Sequence, residues 1–498
     1  MKAFRRFQTK FYQAKKTSIM TTSIVVEGTH KAAYNIRPLH ETRATLGGLS
    51  KDPALLHRSL AELPHTVTHA QGSYLFLANG QKIFDACGGA AVAILGHGNP
   101  EVIAAIMAQM QKVSYIHTGS YTTGPAEELA QFLVDMGDGA HKLKKAYLVG
   151  SGSEANEAAL KIARQYFVEK GESQRCHFVA RKQAYHGNTM GAMTVSSNLP
   201  RKTPYMDILP TNVSFVSPAY AYQYRKDDEN EERYVERLIS ELRQEFLRIG
   251  PEKIISFIAE PVVGATSGCV SAPRGYFRGV RDLCDEYGIL LHLDEVMCGI
   301  GRTGTYFAFE QEGIQPDIVT IGKGLGGGYI PISAMLLGDK VVNVLRQGTS
   351  AFNHGQTFQA HPVACAAALA VQKIVKRDHL VERCAETGKK FGKMLQETFS
   401  DCRYVGDIRG RGLFWALEFV EDRSNRVPFC KDIAFAARLQ KEAFELGVAI
   451  YPGAGTIDGV NGDHVLIAPP LTVTSEELCV IISTLKRAYE ATVKSLDM

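Results

Sequence analysis

The sequence predicts an α/β protein built around a largely parallel sheet. From about Tyr74 onward, short runs rich in Val, Ile or Phe alternate with stretches of helical periodicity, a pattern typical of layered α/β folds. Several runs end in a polar residue, and open α/β sheets place their sites at the carboxyl ends of strands. The predicted strands cover residues 145–150, 176–181, 212–217, 254–263, 289–296 and 317–322.

Composition narrows the class of protein and of partner. The 498 residues are 45% hydrophobic and 22% charged, ordinary values for a globular chain long enough for two or three domains. A net charge of +4 is nearly neutral at this length, so bulk electrostatics favour neither nucleic acid nor an anionic membrane as a partner. We therefore expect a small-molecule partner.

Cysteine usage and hydropathy exclude two further classes. The ten cysteines are far apart, with no C-x-x-C pair and no Cys/His cluster at zinc spacing. This indicates reduced, mostly buried thiols and no metal site. No apolar run approaches the roughly 18 residues that predict a membrane span.

The first 30 residues differ in composition from the rest of the chain. They are basic, and no acid occurs before Glu27. This composition is typical of a mitochondrial transit peptide, and an unstructured basic extension with Met20 as an alternative start explains it equally well. We expect a cytoplasmic or mitochondrial protein, not a secreted one. The basic residues are Lys2, Arg5, Arg6, Lys10, Lys15 and Lys16.

The stretch YLVGSGSEANEAALKIAR predicts an anion site. A strand ends at Gly150, the small residues Ser151, Gly152 and Ser153 follow, and a helix begins after them. Free amides and hydroxyls at a helix N-terminus, with the macrodipole behind them, suit one phosphate. The alternative is an ordinary serine-capped helix.

The stretch QAYHGNT presents Tyr185 and His186 after a predicted strand. An aromatic ring on a loop can stack on a planar cofactor. Such aromatic residues also occur as ordinary core residues. This motif therefore indicates a cofactor site only in combination with the other motifs.

The stretch LLHLDEVMCGIGRTG places Asp294 directly after an apolar strand. A carboxylate at that position is partly buried and therefore needs a cation. A protonated pyridine nitrogen is one candidate, and the carboxylate would keep that nitrogen protonated, which makes the ring an electron sink. The alternatives are a salt bridge to Arg302 and a helix cap.

Lys323 lies among glycines in the stretch DIVTIGKGLGGGYIP. Gly322, Gly324 and Gly327 satisfy the dinucleotide pattern G-x-G-x-x-G, but the pattern requires a helix after the glycines, and none is predicted. The spacing of a Walker loop is absent. Apart from a tight turn with an exposed lysine, the remaining interpretation is a desolvated amine that attacks an aldehyde and forms a Schiff base.

In combination and in order, these motifs resemble the class III aminotransferases, the ornithine and omega-amino acid group of fold-type I pyridoxal-phosphate enzymes. The resemblance extends from about Tyr74 to the C-terminus. It implies a large cofactor-binding domain with a mostly parallel sheet, plus a smaller α+β domain from N- and C-terminal segments. The expected boundaries are an extension at 1–30, an N-terminal small-domain segment at 31–95, the large domain at 96–375 and the C-terminal small domain at 376–498. The motifs are SGSEANEAALKIAR, YHG, EPVVG, LDEVMCGIGRTG, IGKGLGGGYIPISAML, HGQTFQAHPVACAAALA and DIRGRGLFWALEF.

The resemblance also implies roles for individual residues toward pyridoxal 5′-phosphate (PLP). Lys323 corresponds to the lysine that binds the cofactor covalently, and Asp294 to the partner of the pyridine nitrogen. Thr357 corresponds to the threonine that the second subunit of a homodimer offers to the phosphate. The other expected cofactor-binding residues are Ser151, Gly152 and Ser153 at the phosphate, Tyr185 and Val296 on the two ring faces, and His186 and Glu260 in the hydrogen-bonding surroundings.

Substrate recognition is expected at Arg409, which matches the family's carboxylate-binding arginine and is suited to bidentate contact. Ala265 stands where ornithine and GABA aminotransferases carry a glutamate that masks this arginine, so we expect Arg409 to be unmasked. Ala90 and Ala91 stand where relatives carry bulky residues, which indicates a roomy pocket for a bulky or long donor. Met297 replaces a glutamine that many members direct at the cofactor's phenolic oxygen.

The resemblance implies a transaminase that moves an amino group from an omega-amino acid or amine to a keto acid such as pyruvate. The implied mechanism is ping-pong, through Schiff bases. Epimerases, aminomutases and decarboxylases share the architecture and remain alternatives. A cofactor-binding protein without turnover is the rival from another class, and the presence of lysine, aspartate and phosphate loop together disfavours it.

Overall fold

A computed structural model describes residues 54–136 and 141–496. The predicted basic extension, residues 1–30, therefore lies outside the described residues, as do residues 31–53 of the expected N-terminal segment. The chain divides into two units, residues 1–63 and 64–498. Of the first unit, residues 54–63 are described and contain neither helix nor strand.

The described residues contain seventeen strands, several of them short. Numbered along the chain, they are β1 Val67–Gln71, β2 Tyr74–Leu77, β3 Lys82–Asp85, β4 Leu143–Val149, β5 His177–Arg181, β6 Val213–Val216, β7 Ile254–Ala259, β8 Val262–Val263, β9 Val270–Ser271, β10 Leu290–Asp294, β11 Ile318–Ile321, β12 Ser333–Gly338, β13 Val405–Arg411, β14 Phe414–Phe419, β15 Val448–Ala449, β16 Tyr451–Ala454 and β17 Asp463–Ile467.

Fourteen α-helices occur in the same part of the chain. They are α1 Gly88–Ala91, α2 Pro100–Lys112, α3 Gly124–Asp135, α4 Gly152–Glu169, α5 Met190–Val195, α6 Leu199–Lys202, α7 Ala221–Tyr224, α8 Glu231–Ile249, α9 Tyr276–Glu286, α10 Asp339–Gln347, α11 Pro362–Arg377, α12 Leu380–Phe399, α13 Phe435–Glu445 and α14 Ser475–Leu496.

The main sheet has seven strands in the order β4-β12-β11-β10-β7-β5-β6. Strands β11, β10, β7, β5 and β6 run parallel to one another. Strand β12 is antiparallel to both β11 and β4. The predicted α/β class with a largely parallel sheet is confirmed, and β12 is a strand that the sequence analysis did not identify.

The predicted strand at 254–263 is wrong in one respect, because it is interrupted. β7 ends at Ala259, and Val262–Val263 pairs instead with β9 in a separate two-stranded sheet. Pro261 lies between the two segments, and a proline has no N–H to donate to a central ladder. The interruption places Glu260 in the turn directly after β7.

The order of the main sheet brings three predicted site residues to one edge. β10 lies between β7 and β11, with Leu293 opposite Ala259 and Asp294 opposite Thr320. Glu260 and Lys323 follow the outer two of these strands. Because parallel strands end at the same edge of a sheet, Glu260, Asp294 and Lys323 all lie there, as predicted.

Helix α4 packs on this sheet with the face that the sequence predicts. Its small and apolar side chains are buried against strand residues that include Ile255, Leu290, Ile318 and Met335. Alanines at the contact let the helix approach the sheet closely. The buried helix residues in this cluster are Ala158, Ala159, Ile162, Ala163, Tyr166 and Phe167.

Two smaller sheets involve the ends of the second unit. β3 near the start of the unit pairs in parallel with β15 near its end, and β13, β14, β17 and β16 form an antiparallel sheet. The boundaries at 95/96 and 375/376 remain a prediction. All ten cysteines lie in described residues, and none forms a disulfide. Among the described helices, none is both long and apolar enough to cross a membrane.

Candidate active site

Lys323 begins a single 3-10 turn directly after β11, and its backbone is strained. Its φ is +44°, a left-handed conformation that costs a non-glycine residue roughly 1–3 kcal/mol and is concentrated at functional sites. Within the described residues, its amino group forms no ion pair or hydrogen bond. Burial lowers the pKa of Lys323 to about 8. At pH 7 roughly one molecule in ten therefore carries the neutral amine, far more than for a lysine with the ordinary pKa of 10.5.

The glycines around Lys323 are required by protein packing. A Cβ on Gly322 would collide with Ser333 Oγ and lie 3.3 Å from Val296 Cγ1, and a Cβ on Gly324 would lie 3.0 Å from Ile94 Cγ2. The absent side chains thus let β12 and the loop after β10 approach the lysine turn closely.

Asp294 is buried at the end of β10 and accepts three hydrogen bonds. Oδ2 accepts from His186 Nδ1 at 2.8 Å and from Asn156 Nδ2 at 2.9 Å, and Oδ1 accepts from the amide of Val296 at 3.0 Å. Although burial raises its pKa, the contact with His186 and the other donors bring the pKa of Asp294 below its ordinary value. The salt bridge to Arg302 that the sequence left open does not form, because Arg302 donates to the carbonyls of Leu413 and Pro469.

Asn156, on α4, is a site residue that the sequence analysis missed. Besides Asp294, its amide donates to the carbonyl of His186 at 2.7 Å, and its oxygen accepts from Thr320 Oγ1 at 2.8 Å. Thr320 in turn lies 3.3 Å from His292 Nε2. The available signal was one polar residue on the buried face of a helix otherwise lined by alanine.

Glu260 is buried after β7 and connects two loops. Its oxygens accept from the amides of Tyr185 at 3.2 Å and Gly264 at 2.9 Å. Burial raises its pKa. The carboxyl group therefore fixes the backbone that carries Tyr185, and its expected place in the cofactor's hydrogen-bonding surroundings stays a prediction.

The start of α4 forms a capping box. Ser151 Oγ accepts from the amide of Glu154, and Glu154 Oε2 accepts from the amides of Gly150 and Ser151. The first amides of a helix have no partner inside it, so the amides of Gly152 and Ser153 are the ones left for an anion. The hydroxyl of Ser151 is used in the cap, and that of Ser153 contacts Asn188 at 2.8 Å.

Val296 packs between the anion site and the lysine turn. A Cβ on Gly152 would lie 2.8 Å from Val296 Cγ1, and the same methyl group lies beside Gly322. The two loops are therefore held at a distance set by one valine side chain, which suits its expected place on a ring face.

Tyr185 is half-buried after β5, and its ring has a cationic neighbour. The guanidinium carbon of Arg201, on α6, lies 5.1 Å from the ring centroid. His186 follows at the centre of the site, and among the described residues its buried Nε2 has no hydrogen-bond partner. Arg201 was not identified from the sequence.

Thr357 is exposed on a segment that adjoins the start of α4. The neighbouring Gln356 amide is 3.5 Å from Glu154 Oε2. A cavity of about 280 Å³ lies between this segment and the start of α4, lined by Gly150, Glu154 and Phe358 among others. Thr357 is therefore available to another chain.

The expectation that Arg409 is unmasked is wrong. Its guanidinium is 2.6 Å from Glu418 and 2.8 Å from Asp407, and it donates to the carbonyls of Ser267 and Gly268. Glu418 is fully buried and burial raises its pKa, so the charged form of this carboxylate depends on the guanidinium of Arg409. Masking does not require a glutamate at position 265, because Glu418 on the adjacent strand β14 provides the carboxylate.

The expected pocket residues separate into two environments. Ala91 is only 3% exposed and belongs to an apolar cluster with Met297, whereas Ala90 is half-buried. Ala265 packs against the same cluster. Met297 therefore has an apolar environment, and a Cβ on Gly264 would collide with its sulfur.

The residues at this edge fit PLP. A buried carboxylate offers about four lone-pair positions; three are used at Asp294, which leaves one for a protonated ring nitrogen. The amides of Gly152 and Ser153 suit the phosphate, and the unpaired amine of Lys323 suits an aldehyde. In residues 54–136 and 141–496, no group of three or more His, Cys, Asp or Glu side chains is arranged to hold a metal ion.

Comparisons with known proteins agree with this geometry. The family model of class III aminotransferases matches residues 56–489. An uncharacterized aminotransferase of Schizosaccharomyces pombe is 49% identical over 89% of this chain and 96% of its own. Gamma aminobutyrate transaminase 2 of Solanum lycopersicum is 35% identical over 87% of this chain and 93% of its own.

Solved structures extend the agreement to the fold and the cofactor. A crystal structure of an amine transaminase from an uncultivated Pseudomonas species, in its PLP-bound form, has a TM-score of 0.82. It is 30% identical over 88% of this chain and 97% of that chain. The expected fold type I and the expected cofactor, PLP, are confirmed. The chain belongs to the class III aminotransferase family, as its motifs predicted.

Proposed function

We propose that this class III transaminase takes the amino group of an omega-amino acid or amine and passes it to a keto acid such as pyruvate. The observation that carries the proposal is that Lys323 and Asp294 lie at the same sheet edge. The Lys323 amine has a pKa of about 8 and no partner among the described residues, and the Asp294 carboxylate is buried and hydrogen-bonded. Tomato gamma aminobutyrate transaminase and a Pseudomonas amine transaminase are among its relatives, which supports these donor classes.

Different residues of the chain have separate roles in such a reaction. When bound, PLP supplies an aldehyde and an electron-withdrawing ring. Asp294 stays ionised and keeps the ring nitrogen protonated. Gly152 and Ser153 hold the phosphate through their amides. Lys323, neutral once freed, takes a proton from the donor carbon and returns it at a neighbouring position.

The donor is proposed to be bulky or long. Ala90 is half-buried and small, and Ala265 and Met297 present an apolar surface nearby. A pocket lined by apolar side chains with few polar groups favours a donor with a sizeable hydrocarbon part. Equal specificity constants for small and bulky amines would contradict this part of the proposal.

A homodimer is proposed, with Thr357 of one subunit reaching the phosphate of the other. Thr357 is exposed, and Phe358 beside it exposes 61% of its surface. Large apolar side chains at that exposure are enriched in interfaces. Further exposed apolar residues on α2, Ile103, Met107 and Met110, are candidates for the same surface.

The proposal is tested with a donor screen. Purified holoenzyme is given each amine with and without pyruvate, and alanine formation and cofactor absorbance are followed. We expect the absorbance to bleach with donor alone and alanine to form only when pyruvate is added. Turnover of a chiral donor without any keto acid would instead indicate an epimerase, and release of CO₂ a decarboxylase.

Lys323→Ala is expected to abolish turnover and covalent retention of the cofactor. Lys202 is the internal reference for this label, because it is also buried and burial lowers its pKa to about 8 as well. Lys202 Nζ, however, donates to the carbonyls of Thr194 and Ser196 at 2.7 Å. Borohydride reduction followed by peptide mapping should label Lys323 and not Lys202; a label on Lys202 would refute the assignment.

A further inference from the structure

Two arginines near the site differ in their availability for an anion. Arg409 uses four of the five N–H donors of a guanidinium, on Glu418, Asp407 and the carbonyls of Ser267 and Gly268. One N–H is left for a substrate carboxylate, so bidentate contact would have to displace Asp407 or the buried Glu418, which also accepts from Tyr220 and Gln223.

Arg201 is exposed, and in the described part of the chain it pairs with no carboxylate. Its guanidinium lies by the ring of Tyr185. A guanidinium stacked on an aromatic face keeps the N–H groups in its own plane available, which is the arrangement that suits bidentate contact with a carboxylate.

The backbone that carries Arg201 is well anchored. Asn198 accepts from the Arg201 amide at 3.4 Å. Lys202, the next residue, is fastened to the carbonyls of Thr194 and Ser196, and Leu199 packs against Gly459. Short anchored segments of this kind fix the direction from which a long side chain approaches a site.

Arg201 is also close enough to Lys323 to act on it electrostatically. Burial is the main cause of the lowered pKa of Lys323, and the positive charge of Arg201 acts in the same direction. Acidic Glu260 and Asp294 act in the opposite direction. The Arg201 guanidinium therefore belongs to the electrostatic environment of the reacting amine.

We propose that Arg201, presented beside the Tyr185 ring, binds the carboxylate of omega-amino acid donors. The proposal rests on the proposed function, since it assigns the donor specificity of that site. It differs from the role that the family resemblance gives to Arg409.

The test isolates the donor half-reaction, because a keto acid acceptor carries a carboxylate of its own. Holoenzyme is mixed with 4-aminobutanoate or with butylamine, without acceptor, and bleaching of the cofactor absorbance gives a specificity constant for each. The variants are Arg201→Met, Arg201→Lys and Arg409→Met, and Arg346→Met, an exposed arginine on α10, controls for loss of a surface charge.

We expect Arg201→Met to lower the ratio of the two specificity constants, 4-aminobutanoate over butylamine, by about tenfold or more. Arg201→Lys should retain part of the ratio, and Arg346→Met all of it. An unchanged ratio in Arg201→Met, or a selective loss in Arg409→Met instead, would overturn the proposal. An equal loss for both donors would do so too, since it would show that Arg201 only supports Tyr185.

A binding measurement separates this proposal from the proposed function. Butyrate has the carboxylate and no amine, and its dissociation constant is measured from thermal stabilisation of the holoenzyme. We expect Arg201→Met to weaken butyrate binding by about tenfold; unchanged binding would overturn the proposal. If the wild-type holoenzyme transfers no amino group, the proposed function fails, while the butyrate result still decides the role of Arg201.

Discussion

The carboxamide of Asn156 donates to Oδ2 of Asp294 at 2.9 Å. The same oxygen accepts from His186, so a neutral donor and an imidazole share one carboxylate oxygen in a buried site. Both contacts favour the ionised form of the carboxylate. Asn156 is itself held by Thr320, which fixes its amide orientation and directs its N–H toward Asp294.

Asn156→Ala should weaken the binding of PLP by roughly 10- to 100-fold, because a hydrogen bond to a charged group contributes about 1.5–3 kcal/mol. The loss should also raise the pKa of Asp294, since one donor to its ionised form disappears. The measurement is the dissociation constant of PLP for the apoenzyme, by fluorescence titration at several pH values.

Asn425→Ala is the matched control for Asn156→Ala. Asn425 also donates to a carboxylate, Asp422 at 2.6 Å, but on an exposed loop. It should leave PLP binding unaffected. Thr320→Val, which removes the donor to the Asn156 oxygen, should give a smaller loss than Asn156→Ala; a PLP affinity unaltered by Asn156→Ala would show that His186 and Val296 suffice for Asp294.

The pKa of Lys323, lowered by burial to about 8, predicts a pH dependence for cofactor uptake. The amine is protonated below this value and neutral above it, and only the neutral form attacks an aldehyde. The rate at which apoenzyme takes up PLP should therefore rise about tenfold per pH unit below pH 8 and level off above it. Stopped-flow absorbance between pH 6 and about 10 measures this profile.

The same pKa affects the stability of the apoenzyme. The folded-state pKa of Lys323 is below the ordinary value of 10.5, so the unfolded chain binds a proton at this residue more readily than the folded chain does. The contribution of Lys323 to the free energy of unfolding is therefore present above the ordinary value and is lost as pH falls through about 8. Lys393→Met, which removes an exposed lysine on α12, should leave the uptake profile in place. A profile centred near the ordinary lysine value would mean that Lys323 is well solvated.

Gly152→Ala should weaken PLP binding by crowding, because the new Cβ would lie 2.8 Å and 3.0 Å from the two methyl groups of Val296. The helix itself should not suffer, since alanine is the better helix former by about 1 kcal/mol. Val296→Ala removes both methyl groups, so the double variant should recover part of the affinity that Gly152→Ala loses. PLP titration of the single and double variants measures this coupling.

Gly124→Ala is a matched control for Gly152→Ala. Gly124 also begins a helix, α3, and a Cβ on it would have nothing within 4 Å. It should leave PLP affinity unchanged. If Gly152→Ala binds PLP as well as wild type, the spacing between the α4 start and Val296 does not limit cofactor binding.

Thr357→Ala should weaken PLP binding, and mixed dimers can show in which subunit the hydroxyl acts. In a dimer of one Thr357→Ala chain and one Lys323→Ala chain, the only intact lysine lies in the chain that lacks Thr357. If Thr357 acts across the interface, that site is complete and binds PLP with wild-type affinity. Weak binding at that site would place Thr357 in its own chain's site, and a monomer on sedimentation would contradict the dimer.

Local patterns were sufficient to predict much of the site. Asp294 ends one strand, Lys323 lies one glycine after another, and Gly152 begins the helix after a third, so strand-loop-helix signals predict these positions within a few residues. Strand β12 was not identified from the sequence. An apolar run of residues shows neither the direction of a strand nor the place of that strand in a sheet. The split of β7 from β8 depended on Pro261, whose effect on a central ladder outweighed the apolar pattern.

Contacts between distant segments could not be predicted in the same way. Asn156 and Asp294 are 138 positions apart, and nothing near either residue indicates the other. Arg409 was expected to be free because one position lacked a glutamate, whereas Glu418 reaches it across the β13–β14 pair. Arg201 is an exposed residue that belongs to no motif. Only its position beside Tyr185 in the folded chain makes it a candidate site residue.

Sequence alone determined the α/β class, the family and the cofactor, and it predicted the site residues, because these depend on side-chain type and on short-range order along the chain. Tertiary structure decided the electrostatic state of those residues. It buried Lys323 and lowered its pKa, gave Asp294 three donors, and joined Arg409 to Glu418 while leaving Arg201 without a carboxylate partner among the described residues. Burial and charge pairing are set by groups that meet only in the folded chain, so neither the pKa of a lysine nor the partner of an arginine follows from its neighbours in sequence.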